Sequence, residues 1–137
     1  MFSVEARNIA GEVTSLGSAG PFTLVIDRPT DAGGGGMGFN GGQLLYLAVA
    51  GCISNDLFRE AQALGVELDS VRVIVDGDFV GEPPVSVPIA YSVEISGNAD
   101  AEVLRELVQA VDRIAEIPNS LRLGTAVQLQ DVVVKER

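Results

Sequence analysis

The chain has 137 residues, enough for one domain with a real core, and a single domain over 1–137 is expected. Hydrophobic residues make up 47% and charged residues 20%, the balance of an ordered globular protein. Nineteen acidic residues against nine basic ones give a net charge of −10, which disfavours nucleic acid and membrane surfaces as partners.

The residue inventory narrows the chemistry further. There is no histidine, which removes Ser-His-Asp triads, Cys-His dyads, most zinc sites and His-ligated haem, and no metal or cofactor is expected. The one cysteine, Cys52, cannot form an internal disulfide and suits a reducing compartment. The first residues lack a basic stretch ahead of an apolar one, so no signal peptide is expected. The longest mostly apolar run, Leu44 to Ile53, is about half of the roughly 20 residues that span a bilayer. A cytoplasmic location is the expectation.

In chain order, Phe2, Val4 and Ala6 alternate with polar neighbours, a first short strand. Glu12 to Leu16 and Phe22 to Ile26 read as two more, separated by a turn at Gly17 to Pro21, which makes an antiparallel meander. Residues 33 to 42 hold seven of the sixteen glycines and predict a loop. A long helix follows from Gln43 to about Leu64, apolar on every side in its first half, with a stripe of Leu57, Phe58, Ala61 and Leu64 in its second. Such a helix needs cover on both faces, and a second copy of the chain is the simplest source of the second layer.

Val71 to Asp76 and Val87 to Ile95 are the clearest strands, joined through Gly81-Glu82-Pro83-Pro84. Asn98 or Asp100 caps a second helix with the stripe Leu104, Leu107, Val108, Val111, Ile114 and Ala115, and Pro118 is expected to stop it. Ala126 to Val134 reads as a last strand. This order predicts an α+β domain with a largely antiparallel sheet of about six strands, a long central helix carrying Cys52, and a second helix.

Two features invite a chemical reading. Gly36-Met37-Gly38-Phe39-Asn40-Gly41 fits the G-x-G-x-x-G dinucleotide fingerprint, but the preceding strand ends at Ile26 with Arg28-Pro29 intervening, so a plain loop is the better reading. Cys52 is the other. A free cysteine among Leu, Val and Ala is usually an inert core residue. Asp56, at i+4, would oppose a thiolate, so an activating cation must come from elsewhere: Arg7 or Arg28 before the helix, or Arg59, Arg113 or Arg122 after its cysteine.

The run Gly42-Gln43-Leu44-Leu45-Tyr46-Leu47-Ala48-Val49-Ala50-Gly51-Cys52, behind a glycine-rich loop and ahead of Gly65-Val66-Glu67-Leu68, resembles the OsmC/Ohr family of osmotically inducible and organic hydroperoxide resistance proteins. The later strand, helix, Ile117-Pro118-Asn119-Ser120-Leu121 and Gly124-Thr125 agree with it, so the resemblance covers nearly the whole chain. It implies an intertwined homodimer with sites at the subunit interface, and reduction of organic hydroperoxides by a peroxidatic cysteine, here Cys52.

Two departures accompany the match. The family's resolving cysteine would stand at Ile117, and the glutamate that pairs with a thiolate-holding arginine falls at Gly42 or Gln43, with Arg7 and Arg28 as candidates for that arginine. The expectation is a one-cysteine hydroperoxide reductase acting in oxidative stress defence, served by an external thiol reductant, with Gln43 and Ile117 at its pocket. The alternative is a non-catalytic dimer that binds an apolar small molecule at its interface.

Overall fold

The computed structural model describes residues 1–135 and residue 137. Three short strands, β1 (Glu5–Asn8), β2 (Ser15–Ala19) and β3 (Phe22–Ile26), form an antiparallel meander in the order β1-β2-β3. Ala19 pairs with Phe22, so the β2–β3 turn is Gly20-Pro21 alone, and β2 starts three residues later than Glu12. Gly20 takes φ 57°, the left-handed conformation that this turn needs and that glycine accepts without steric cost.

After one 3-10 turn at Thr30–Ala32, the glycine-rich segment runs back along β3, with a parallel bridge between Ile26 and Phe39. A Cβ at Gly34 or Gly38 would collide with the backbone carbonyls of Arg28 and Val25. The glycines there permit close backbone packing.

The long helix, α1, spans Gly41–Ala63. A capping box starts it: the Asn40 side chain accepts from the Gln43 backbone N–H at 2.9 Å, and Gln43 Oε1 accepts from the Asn40 backbone N–H at 3.0 Å. Val49, Ile53, Leu57 and Ala61, spaced by four, are its buried face. Ile53, Leu57 and Ala61 pack on a two-stranded antiparallel sheet of β4 (Leu68–Asp76) and, later in the chain, β7 (Ala90–Gly97). The alternation of β7 turns Tyr91, Val93 and Ile95 inward, as expected, and the core joins Ile53, Leu57 and Ala61 to Leu107, Val111 and Ala115. Phe58 and Leu64 depart from the expected stripe: both are exposed, and Leu64 is the C-cap just past the end of α1.

Between β4 and β7 the connection itself forms a small hairpin of β5 (Phe79–Val80) and β6 (Val85–Ser86). Tyr46 of α1 stacks on Phe79 at 5.6 Å, and its hydroxyl hydrogen-bonds Ser86 Oγ at 2.9 Å, which ties the hairpin to the helix. The second helix, α2 (Ala101–Ile114), has Asp100 at its N-cap position, while Asn98 instead accepts from the Glu67 backbone N–H at 2.9 Å.

Pro118 does not end the helical region. A third helix, α3 (Glu116–Arg122), places Pro118 in its first turn, where the missing N–H has no intrahelical acceptor to lose. The expected last strand, Ala126 to Val134, is not formed. Among the described residues that segment pairs with no strand, and a strand exists only by pairing. The architecture is therefore α+β with antiparallel pairing in every sheet, but the strands fall into three separate groups.

Candidate functional site

Cys52 is the twelfth residue of α1, half-buried, with its side chain against the core formed by Ile53, Leu57 and Leu107. Leu45, Val49 and Cys52 lie at i, i+4 and i+7, on one stripe of the helix. The outer part of that stripe, Leu45 and Val49, lines a cavity of about 570 Å³. Its other walls are the segment Ser86 to Ile89 with Tyr91, and Pro118, Leu121 and Arg122 of α3. Cys52 follows one turn beyond Val49 on this stripe and is not itself among the residues that line the cavity.

The surroundings of the sulfur are apolar. Among the described residues, no side chain hydrogen-bonds Cys52 Sγ within the chain. Asp56, one turn on, is buried and held by Arg59, whose Nη1 lies 3.1 Å from its Oδ1. Arg59 has its guanidinium pKa raised, first by its hydrogen bond to Glu60 and then by the Asp56 charge. The carboxylate expected to oppose a thiolate is therefore paired with a cation, and Arg59 is committed to two acids.

The remaining predicted residues are dispersed. Arg7 projects from β1 into solvent, 3.6 Å from Glu5. Arg28 is exposed beside the glycine-rich loop, at the rim of a separate cavity of about 830 Å³. Gln43 is occupied by the capping box. Ile117 sits half-buried in the first turn of α3, next to the Pro118 that lines the cavity of about 570 Å³.

The glycine-rich loop owes its shape to Asp27, the first residue after β3. Asp27 is buried and accepts four hydrogen bonds: Thr14 Oγ1 at 2.9 Å and the backbone N–H groups of Arg28 at 2.8 Å, Gly35 at 3.1 Å and Met37 at 3.2 Å. Burial pushes its pKa up, but the bonds from Thr14, Gly35, Arg28 and Met37 prevail and hold it below the ordinary carboxylate value. The N–H groups of Gly35 and Met37, which a bound phosphate would require, are spent on this internal carboxylate. The dinucleotide reading fails on that geometry.

A second polar cluster borders the same cavity, whose lining includes Tyr91 and Arg122. The Tyr91 hydroxyl donates to Asp112 Oδ1, which also accepts from Arg122 Nη2 at 2.7 Å. Burial and the Asp112 bond push the Tyr91 phenol up to about 12, and the bonds from Tyr91 and Arg122 hold the Asp112 carboxyl below its ordinary value. Only Arg122 of these three was singled out by sequence. The pairing of Tyr91 with Asp112 depends on how β7 packs against α2, which no local pattern states.

The sequence profile of the OsmC-like protein family matches residues 33–130, well over half of the chain. The chain belongs to the OsmC-like family. The matched region runs from the glycine-rich loop through α1 and Cys52 to beyond α3. Solved structures share the fold. An OsmC-like protein from Mycoplasma pneumoniae superposes with a TM-score of 0.76 at 18% identity, covering 91% of this chain and 89% of that one. An organic hydroperoxide resistance protein OsmC from Legionella pneumophila gives 0.65 at 17% identity, covering 89% of each chain. The organic hydroperoxide resistance protein OhrB of Bacillus subtilis gives 0.61 at 21%, covering 91% and 92%. No curated protein matches the sequence. Among the described residues, no helix is long and apolar enough to cross a membrane.

Proposed function

We propose that this OsmC-like chain serves in defence against organic hydroperoxides, as a homodimer in which Cys52 is the peroxidatic thiol. The observation that carries the reading is that Cys52 lies within the span matched by the family profile, one turn along α1 from the cavity-lining Val49. The names of the Legionella and Bacillus relatives support the substrate class.

In the chemistry proposed, the Cys52 thiolate attacks one peroxide oxygen and the O–O bond breaks. The alkoxide leaves and takes up a proton as the alcohol, and sulfur is oxidised to the sulfenic acid. Isoleucine at 117 leaves no thiol in the chain to condense with it. An external thiol attacks the sulfenic sulfur, water leaves, and a mixed disulfide forms. A second external thiol then attacks the mixed disulfide, releasing Cys52 and an oxidised dithiol.

The dimer is supported by surface arithmetic. The single chain exposes 10406 Å². A compact monomer of 14.3 kDa exposes about 6800 Å². The excess is about 3600 Å² per chain, so about 7200 Å² for two, which is beyond the total of about 2,000–5,000 Å² usual for obligate interfaces and leaves ample surface for one. A partner also offers a source for the cation that Cys52 lacks within its own chain, and Arg7 and Arg28, both exposed, stay candidates for that role. The competing reading, a dimer that only binds an apolar molecule, is favoured by the aliphatic shell around the sulfur.

One experiment separates them. Cumene hydroperoxide with a sulfenate-trapping reagent and a dithiol should give an adduct on Cys52 and dithiol-dependent peroxide loss, both absent in Cys52→Ser. Equal consumption by the wild type and Cys52→Ser, with no adduct, leaves the binding reading.

A further inference from the structure

The cavity of about 570 Å³, which Cys52 does not line, has a polarity pattern of its own. Its walls are apolar: Leu45 and Val49 of α1, Val87 to Ile89 after β6, and Pro118 and Leu121 of α3. Three polar side chains interrupt them, and two of these are committed. Ser86 Oγ donates to the Val87 carbonyl at 2.8 Å and hydrogen-bonds the Tyr46 hydroxyl at 2.9 Å, while the Tyr91 hydroxyl donates to Asp112. Arg122 is the third, and it is the one charged residue in the lining. Its Nη2 donates to Asp112 Oδ1 at 2.7 Å, and its Nη1 donates to the Asp112 carbonyl at 2.8 Å and to Asn119 Oδ1 at 2.9 Å. Among the described residues, those bonds leave its Nε–H and one Nη2 hydrogen without an acceptor.

Asp112 is not in that lining; it borders a separate cavity of about 430 Å³ with Val108, Gln109 and Arg113. The larger cavity therefore meets the guanidinium directly, with the acid outside its wall. In a chain of net charge −10, a single cation with unspent donors on an otherwise apolar wall selects for one negative charge. We propose that this cavity binds an amphipathic monocarboxylate, an acyl or aryl acid whose apolar body lies against Leu45, Val49 and Leu121 and whose carboxylate accepts from Arg122. Small-molecule sites combine a volume of this order and an apolar lining with a few placed polar groups. Arg122 is half exposed, so the head group keeps part of its hydration while the tail leaves water, and no charge is fully buried. A second negative charge on the ligand would find no second cation in the lining.

Three ligands with one tail and different heads test this on the full-length protein: octanoate, 1-octanol and octylammonium, by calorimetry and NMR. Octanoate should bind about tenfold more tightly than octanol, the scale of a hydrogen bond to a charged group, and octylammonium more weakly than either. Octanoate should also shift the Arg122 Nε–H resonance and the methyl groups of Val49 and Leu121. Arg122→Met keeps an apolar side chain and removes the donors, so it should erase the preference for octanoate over octanol. Leu121→Trp leaves the Arg122 bonds in place and fills the cavity, so it should weaken octanoate and octanol alike. Equal affinity for octanoate and octanol in the wild type overturns the proposal. So does an absence of octanoate binding at millimolar concentration, or octanoate shifts confined to residues outside the cavity. If Arg122→Met frees α3 and loses both ligands, the wild-type preference and the Nε–H shift decide. The site goes beyond the proposed peroxidase chemistry: Cys52→Ser, which abolishes that chemistry, should bind octanoate as the wild type does, so either reading can fail without the other.

Discussion

Leu57 and Val111 are fully buried between α1, α2 and the β4–β7 sheet, whereas Phe22 in the meander is 75% exposed and Val127 in the C-terminal segment is 97% exposed. Both regions are rich in the same residue types. The first region closes its core within one chain, because α1 and α2 cover the inner face of β4 and β7. The second has strands and apolar side chains but no opposing layer: the meander's strands contact each other far more than they contact the helices, and residues 126–134 lie without a strand neighbour. Hydrophobic sequence is thus necessary for a core but does not say which chain completes it.

Removing residues 126–137 tests that difference most severely. On the proposed dimer, Val127, Leu129, Val132, Val133 and Val134 supply apolar surface to the partner, so light scattering should show the truncated chain losing its dimer mass or aggregating. A truncated protein that stays a well-folded dimer would place the interface elsewhere. Next in size is Leu57→Ala in the self-contained half. Deleting a fully buried leucine side chain should cost about 3–5 kcal/mol in denaturant unfolding. The same change at exposed Leu123 should cost under about 0.5 kcal/mol.

The same contrast explains what could be read from sequence. The α1 span, the β3, β4 and β7 strands and the buried stripe of Leu104, Leu107 and Val111 were legible, because each is set by periodicity or by local turn chemistry. Cys52 stood out as a candidate site only through the family resemblance. The Asn40-x-x-Gln43 capping box was present as a motif but overshadowed by the glycines around it. What sequence could not show was long-range. Asp27 gathers donors from Thr14 to Met37, and Asp112 meets Tyr91 across 21 positions. The segment 126–134 has strand composition, but pairing requires a neighbour that composition does not identify.

Asp27 provides a pH test confined to the meander side. Its carboxyl is held below the ordinary value in the folded chain, so it contributes stability that is complete above the unfolded pKa of about 3.9. That contribution is lost as the pH falls from there through the lower folded value. Asp27→Asn should be less stable than wild type at neutral pH, since an amide cannot accept all four bonds, and its melting temperature should fall less on acidification. Exchange of the Gly35 and Met37 amides should report the same loss locally. Parallel acid limbs in the two proteins would remove Asp27 from that role.

The smallest effect is expected on the solvent face of the self-contained half. Arg72 and Glu94 sit opposite each other on β4 and β7, 3.3 Å apart, with side chains 68% and 65% exposed. Each long side chain gives up rotamer freedom to meet the other, and solvent screens the attraction, so the pair contributes at most about 1 kcal/mol. A double-mutant cycle with Arg72→Ala and Glu94→Ala should return a coupling of about 0.2–1 kcal/mol that fades as salt is raised. A larger, salt-insensitive coupling would mean that this face is covered in solution, and would extend the footprint of the proposed dimer partner onto the outer surface of β4 and β7.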